Sequence, residues 1–211
     1  MNPASEADLR RALQFYQQAL VRDPGFALAY AGTAWVYWWL ADGYVPPNEA
    51  NPKARAAAQA ALEGDNLVAD AHAVLAYVQS LYEWNPAAAE RGFRRALELD
   101  PNSANARVAF AFDRCFTGHT DEGLAQLDRA AQLDPLSPLP LYTREICFYA
   151  ARRFNEVIAA NRKTREIDPK FWYLESWAGA ARRELGDYKG ALQEGMGRIR
   201  DLSGGGGLGR G

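Results

Sequence analysis

The feature that most constrains this chain is a stop signal that returns on a fixed period. Apolar runs close on Asp-Pro at Asp100-Pro101, Asp134-Pro135 and Asp168-Pro169, each 34 residues after the one before. Proline disfavours the helical region in the residue that precedes it, so each Asp-Pro ends a helix. Asp23-Pro24 does the same earlier, and Asp65-Asn66 closes the same phrase with Asn in place of Pro. A period of this length means stacked supersecondary units, none able to bury its apolar face alone, rather than one closed core.

Helical periodicity fills the space between these marks. Leu9, Leu13, Tyr16 and Leu20 recur on one face behind Ser5, a candidate N-cap. Residues 27–40 are apolar almost all round, so that helix is either covered or presents a binding surface. Residues 41–52, with Gly43, Pro46, Pro47 and Pro52, read as an irregular loop, and helix resumes over 53–63. The step from Pro24 to Asn66 is 42 residues, and its eight extra residues are assigned to that loop. The step from Asn66 to Pro101 is 35, with the extra residue assigned to the Glu83-Trp84-Asn85 turn. Beyond Pro101 the pairs are regular: 103–116 with 121–133, 137–151 with 154–167, and 172–185 with 188–200. Turns inside pairs fall at Thr117-Gly118-His119-Thr120, Arg152-Arg153 and Gly186-Asp187. The expected fold is an all-α solenoid of about eleven helices. It divides into a half repeat over 1–24, five helix pairs over 25–202 with an insertion near 42–52, and a Gly-rich flexible tail over 203–211.

Composition narrows the function. Hydrophobic residues at 48% and charged residues at 24% mark a folded chain, and a net charge of −2 argues against nucleic-acid binding. No apolar run reaches the ~20 residues needed to span a bilayer, and the first twenty residues lack a signal-peptide core. A cytoplasmic location is therefore expected. Cys115 and Cys147 match no zinc spacing and no disulfide framework, and read as buried free thiols.

Small residues recur at fixed places in the period: Ala34, Ala76 and Ala111; Ala12, Ala54, Ala89, Gly123 and Ala191; Ala19, Ala61, Ala96 and Ala130. Helices approach closely only where side chains are small. With the turn Gly186-Asp187-Tyr188-Lys189-Gly190-Ala191-Leu192, this pattern resembles the tetratricopeptide repeat. The segments 44–50 and 82–90 further resemble bacterial arrays appended to winged-helix transcriptional regulators, adenylate cyclases or Ser/Thr kinases. The same places hold Val157 and Thr164; Glu145 and Arg198 depart from the small-residue pattern, and Arg144 stands where it expects Leu.

The resemblance implies a right-handed superhelix whose first helix in each pair lines a concave face. It places Trp35, Trp38, Asp70, Tyr77, Asn105, Phe112, Tyr142, Ile146, Tyr149, Tyr173 and Arg183 there, as an apolar, aromatic groove for a peptide or helix. Two alternatives stay open: the rings pack against neighbouring helices, or the 42–52 loop covers the tryptophans. The implied function is a protein-interaction scaffold, the alternative a sensory or regulatory module cut from a larger bacterial regulator, cyclase or kinase. Self-association through uncapped solenoid ends is a further expectation.

No chemistry is legible. Gly204–Gly207 lacks a following Lys-Ser/Thr and has no strand before it, so it is no phosphate loop. His72 and His119 are the only histidines, and Cys115 with His119 supplies two ligands where a structural zinc needs four. No cofactor, metal or catalytic residue is expected.

Overall fold

A computed structural model describes residues 6–41, 43–169, 171 and 176–194. Ten helices follow in chain order: α1 (Glu6–Arg22), α2 (Ala27–Ala41), α3 (Pro47–Gly64), α4 (Ala69–Leu81), α5 (Pro86–Leu99), α6 (Ala104–Phe116), α7 (Thr120–Leu133), α8 (Leu139–Ala150), α9 (Phe154–Ile167) and α10 (Ser176–Glu184). Residues 188–194 are helical as well, and no strand occurs among the described residues. The candidate cap Ser5, Tyr173, Arg198 and the tail 203–211 lie outside the described residues.

The Asp phrase builds one turn repeatedly. The Asp100 N–H donates to Ala96 O (2.9 Å), and its carbonyl accepts from Ser103 N (3.2 Å). Its side-chain Oδ1 takes Asn102 N at 2.9 Å. Asp65 makes the same set without a proline, its Oδ1 accepting from Leu67 N at 2.9 Å, and Asp23 accepts from Gly25 N at 3.0 Å. The aspartate thus satisfies donors that the departing chain would otherwise leave bare, and proline is a convenience rather than a requirement.

Helices pair as α2/α3, α4/α5, α6/α7 and α8/α9, with α1 packed on α2. Consecutive first helices (α2, α4, α6, α8, α10) touch one another, whereas no two of α3, α5, α7 and α9 do so among the described residues. Crowding on one side and none on the other curves the stack around the first helices, which makes theirs the concave face. The interfaces are closed by small residues: Ala34, Ala54, Ala58, Ala76, Ala89, Ala96, Ala111 and Ala130 have no exposed surface. Gly123 belongs to the same set, because a Cβ there would collide with Cys115 Sγ and meet Ala111 O at 2.9 Å.

Three expectations are corrected or resolved. The segment 41–52 is not a loop up to Pro52. α3 starts at Pro47, where a missing N–H costs nothing, and runs through Pro52. Pro52 deprives only the Asn48 carbonyl of its partner, and Asn48 is exposed to water, while buried Ala50, Asn51 and Ala54 hold the first turns on the core. The eight extra residues are therefore shared out. α3 is four longer than α5, α7 and α9, α2 is two longer than α4 and α6, and their link is two longer than that between α6 and α7.

The cysteines are not free thiols: Cys115 on α6 and Cys147 on α8 form a disulfide with Cα atoms 5.0 Å apart. Their separation of 32 residues, just short of one repeat, brings adjacent first helices together at these two positions. Cys115 is consequently buried and does not face the groove.

Arg144 and Glu145 find separate partners. Arg144 Nη2 donates to Asp128 Oδ1 on α7 at 2.6 Å. Glu145 is fully buried and accepts from Asn161 Nδ2 (3.1 Å) and Thr164 Oγ1 (2.9 Å), both on α9. Burial pushes its carboxyl up to about 8, the hydrogen bonds from Asn161 and Thr164 opposing the shift.

Candidate functional site

Across the first helices the aromatic rings form a nearly continuous row. Trp38 meets Trp39 at 4.3 Å and Tyr77 at 5.1 Å between ring centroids. Tyr77 meets Phe112 at 5.7 Å, and Phe112 meets Phe116 at 4.7 Å. Phe116 then borders a cavity of about 500 Å³ whose other walls are Ile146, Tyr149, Ala150, Arg152, Phe154, Trp177 and Glu184. Beyond it, Tyr149 lies 5.0 Å from Trp177 and 5.5 Å from Phe154. Edge-on and tilted geometries dominate the row, as ring quadrupoles favour.

Burial sorts the expected residues into two groups. Trp35, Trp38, Tyr142 and Ile146 are buried. Tyr44 and Val45, just before α3, pack against the cluster that holds the tryptophans. The Trp38 indole N–H meets no acceptor among the described residues, a cost of about 1–3 kcal/mol. Tyr142 is fixed from α10, its Oη accepting from Trp177 Nε1 at 3.1 Å. Tyr77, Phe112 and Tyr149 are half-buried, Asp70 and Asn105 likewise, and Arg183 is exposed. Burial raises the Asp70 carboxyl, with the Trp35 indole N–H working against that shift and the Asp100 charge adding to it.

Trp39, Phe116, Phe154 and Trp177 of the row, and Arg152 beside it, were not in the sequence-based set. Phe116 lies one helical turn beyond Phe112 and is 50% exposed, so the i, i+4 spacing could have found it. Trp177, Phe154 and Arg152 join through the approach of α10 and the α8–α9 turn, which no periodicity announces. Among the described residues, no cluster of three or more His, Cys, Asp or Glu could hold a metal, and no helix is long and apolar enough to cross a membrane.

This architecture is that of a tetratricopeptide-repeat array. The chain is similar to YrrB, described as a TPR protein with an unusual peptide-binding site, at 26% identity and a TM-score of 0.51, over 85% of this chain and 86% of that one. It is similar to a thermophilic TPR protein of Thermus thermophilus, TTC0263, at 18% identity and a TM-score of 0.65, over 82% and 90% of the two chains. Human IFIT1, solved as a dimer with m7Gppp-AAAA, superposes with a TM-score of 0.78 at 18% identity over 90% of this chain. This chain spans 46% of the IFIT1 chain, less than half its length. No family model matches the sequence, and no curated protein matches it.

Proposed function

We propose that the chain is a protein-interaction scaffold, not an enzyme, that holds an extended peptide or a helix along its concave face. The observation that carries this reading is the exposure of the aromatic row. Tyr77, Phe112, Phe116, Tyr149 and Trp177 keep part of their rings in water across α4, α6, α8 and α10, on the side where those helices crowd. Aromatic and Arg side chains are those that binding hot spots favour, and a preformed groove orders little on binding. In this reading buried Trp35, Trp38, Tyr142 and Ile146 back the exposed rings, while Asp70, Asn105 and Arg183 offer polar points. The peptide site in the description of YrrB supports it. The RNA bound by IFIT1 is not carried over, since that likeness is one of fold and the net charge here is −2.

The test compares proteins retained from a cell lysate by the full chain and by a Tyr77→Ala/Phe112→Ala variant with an unchanged helical circular-dichroism spectrum. Loss of the specific bands is expected. Bands retained at equal strength by the folded variant remove the groove from the account.

A further inference from the structure

The cavity between the end of α6, α8 and α10 differs from the rest of the aromatic row in carrying charge. Phe116, Ile146, Tyr149, Phe154 and Trp177 line it, and Arg152 and Glu184 border it without pairing with each other. About 500 Å³ is room for one large side chain and adjoining backbone.

Arg152 occupies its place at a cost. One turn position returns every 34 residues with left-handed backbone: Trp84 (φ 54), Gly118 (φ 86), Arg152 (φ 58) and Gly186 (φ 80). At Gly118 and Gly186 nothing lies within 4 Å of where a side chain would start, and glycine takes the conformation freely. A non-glycine residue there costs roughly 1–2 kcal/mol. Such local strain is a pointer to function when the side chain has a task. The Arg152 guanidinium lies 5.5 Å over the Phe154 ring and makes no ion pair among the described residues, whereas its neighbour Arg153 is paired with Glu156. Glu184, contributed by α10, pairs with Arg183 at 3.8 Å and with no other cation among the described residues.

We propose that this cavity is a subsite for a linear peptide presenting an aromatic or large aliphatic side chain next to a carboxylate. The side chain enters among Phe116, Tyr149, Phe154 and Trp177, and the carboxylate meets Arg152. The subsite rests on the groove reading above. A guanidinium laid on a ring is partly desolvated and keeps its planar fork for two-point carboxylate binding. Glu184 accepts from backbone N–H groups of the peptide and repels a second acid beside α10, so the acid is favoured on one side of the anchor only.

A random heptapeptide library displayed on phage, selected against the full chain, tests this. Wild type is expected to enrich Phe, Tyr, Trp or Leu adjacent to Asp or Glu. A synthetic peptide of the enriched sequence should bind about tenfold more weakly when its acid is changed to Lys. Arg152→Glu, at an exposed turn, should reverse that preference. Enrichment of sequences that lack the acid, or that bind equally to Arg152→Glu yet are lost on Phe112→Ala, overturns the subsite and leaves the groove standing. No enrichment at all overturns both.

Discussion

The α4/α5 and α8/α9 pairs occupy the same place in the repeat and are closed by opposite chemistry. In the first, Ala76 faces α5 so closely that a Cβ on Gly92 would lie 2.8 Å from its own, and Ala89, Phe93 and Ala96 complete a dry interface. In the second, Glu145 stands where Ala76 does, and α9 answers with Asn161 and with Thr164 in the place of Ala96. The Thr164 hydroxyl has one proton and two acceptors in reach, Ala160 O at 3.1 Å and Glu145 Oε1 at 2.9 Å. With Glu145 ionised, Thr164 must divide its one proton between them; once burial has driven the carboxyl to its protonated form, Glu145 donates to Thr164 Oγ1 in turn and both contacts are satisfied. A buried charge position is tolerable here because the departure on α8 is matched by one on α9.

Moving the carboxyl without its partners should have the largest effect. Ala76→Glu places it opposite Phe93 and Ala96, the counterparts of Asn161 and Thr164, with no side-chain donor between them, and should cost about 3–5 kcal/mol in urea denaturation. A cost below about 1 kcal/mol would mean the α4/α5 pair can open as α8/α9 has, which the close approach at Gly92 argues against.

The pH dependence of Glu145 comes next. Its carboxyl titrates at about 8 in the folded chain against an ordinary 4.5, so folding holds a proton that the unfolded chain releases between those values. This contribution is fully present below pH 4.5 and is lost as pH rises to about 8, at up to about 1.4 kcal/mol per pH unit. Glu145→Gln copies the neutral form, its Nε2 donating to Thr164 and its Oε1 accepting from Asn161. The difference between wild type and this variant should therefore grow from pH 5 to pH 8 in favour of the variant, by a few kcal/mol, and then level off. Parallel curves would show that Glu145 is solvated. The charged groups that act on it are Arg165 and Glu194, which are held to each other at 2.8 Å.

The Cys115–Cys147 disulfide ties α8 to α6, the first helix that lies between the two regions. Reduction should destabilise the folded chain by about 3–4 kcal/mol on the loop-entropy account, with the helical circular-dichroism signal retained at low temperature. Labelling of both thiols by a maleimide before any reduction would show that the cross-link is absent.

Much of this contrast was legible in the sequence, and the gaps have physical causes. Proline and aspartate act on the local backbone, so the 34-residue register and the helix ends could be read from single residues. Small residues at fixed positions gave the tight interfaces for the same reason. The start of α3 was missed because a proline inside a helix looks like a stop unless burial of Ala50, Asn51 and Ala54 is known. The disulfide depends on how far one first helix is offset from the next, which no local rule sets. Ring exposure likewise depends on neighbours: Trp35 and Trp38 match the expected groove spacing as well as Tyr77 and Phe112 do, yet only the latter two keep surface. Trp177 enters through α10 and could not be placed beside Tyr142 before the repeats were stacked.

The smallest effect belongs to Arg144, although it departs from the repeat beside Glu145. Its ion pair with Asp128 is short, but the Asp128 side chain is 64% exposed, so water and salt screen it and two long side chains must be ordered to make it. Arg144→Ala should cost under about 1 kcal/mol, partly through lost packing of its stem, and less in 0.5 M salt than in dilute buffer. Glu145→Ala, one residue on, should cost about 1–3 kcal/mol, because it removes the hydrogen bonds from Asn161 and Thr164 and opens a cavity between α8 and α9. If the two substitutions proved equal, the α8/α9 interface would be held by its rim rather than by its buried hydrogen bonds.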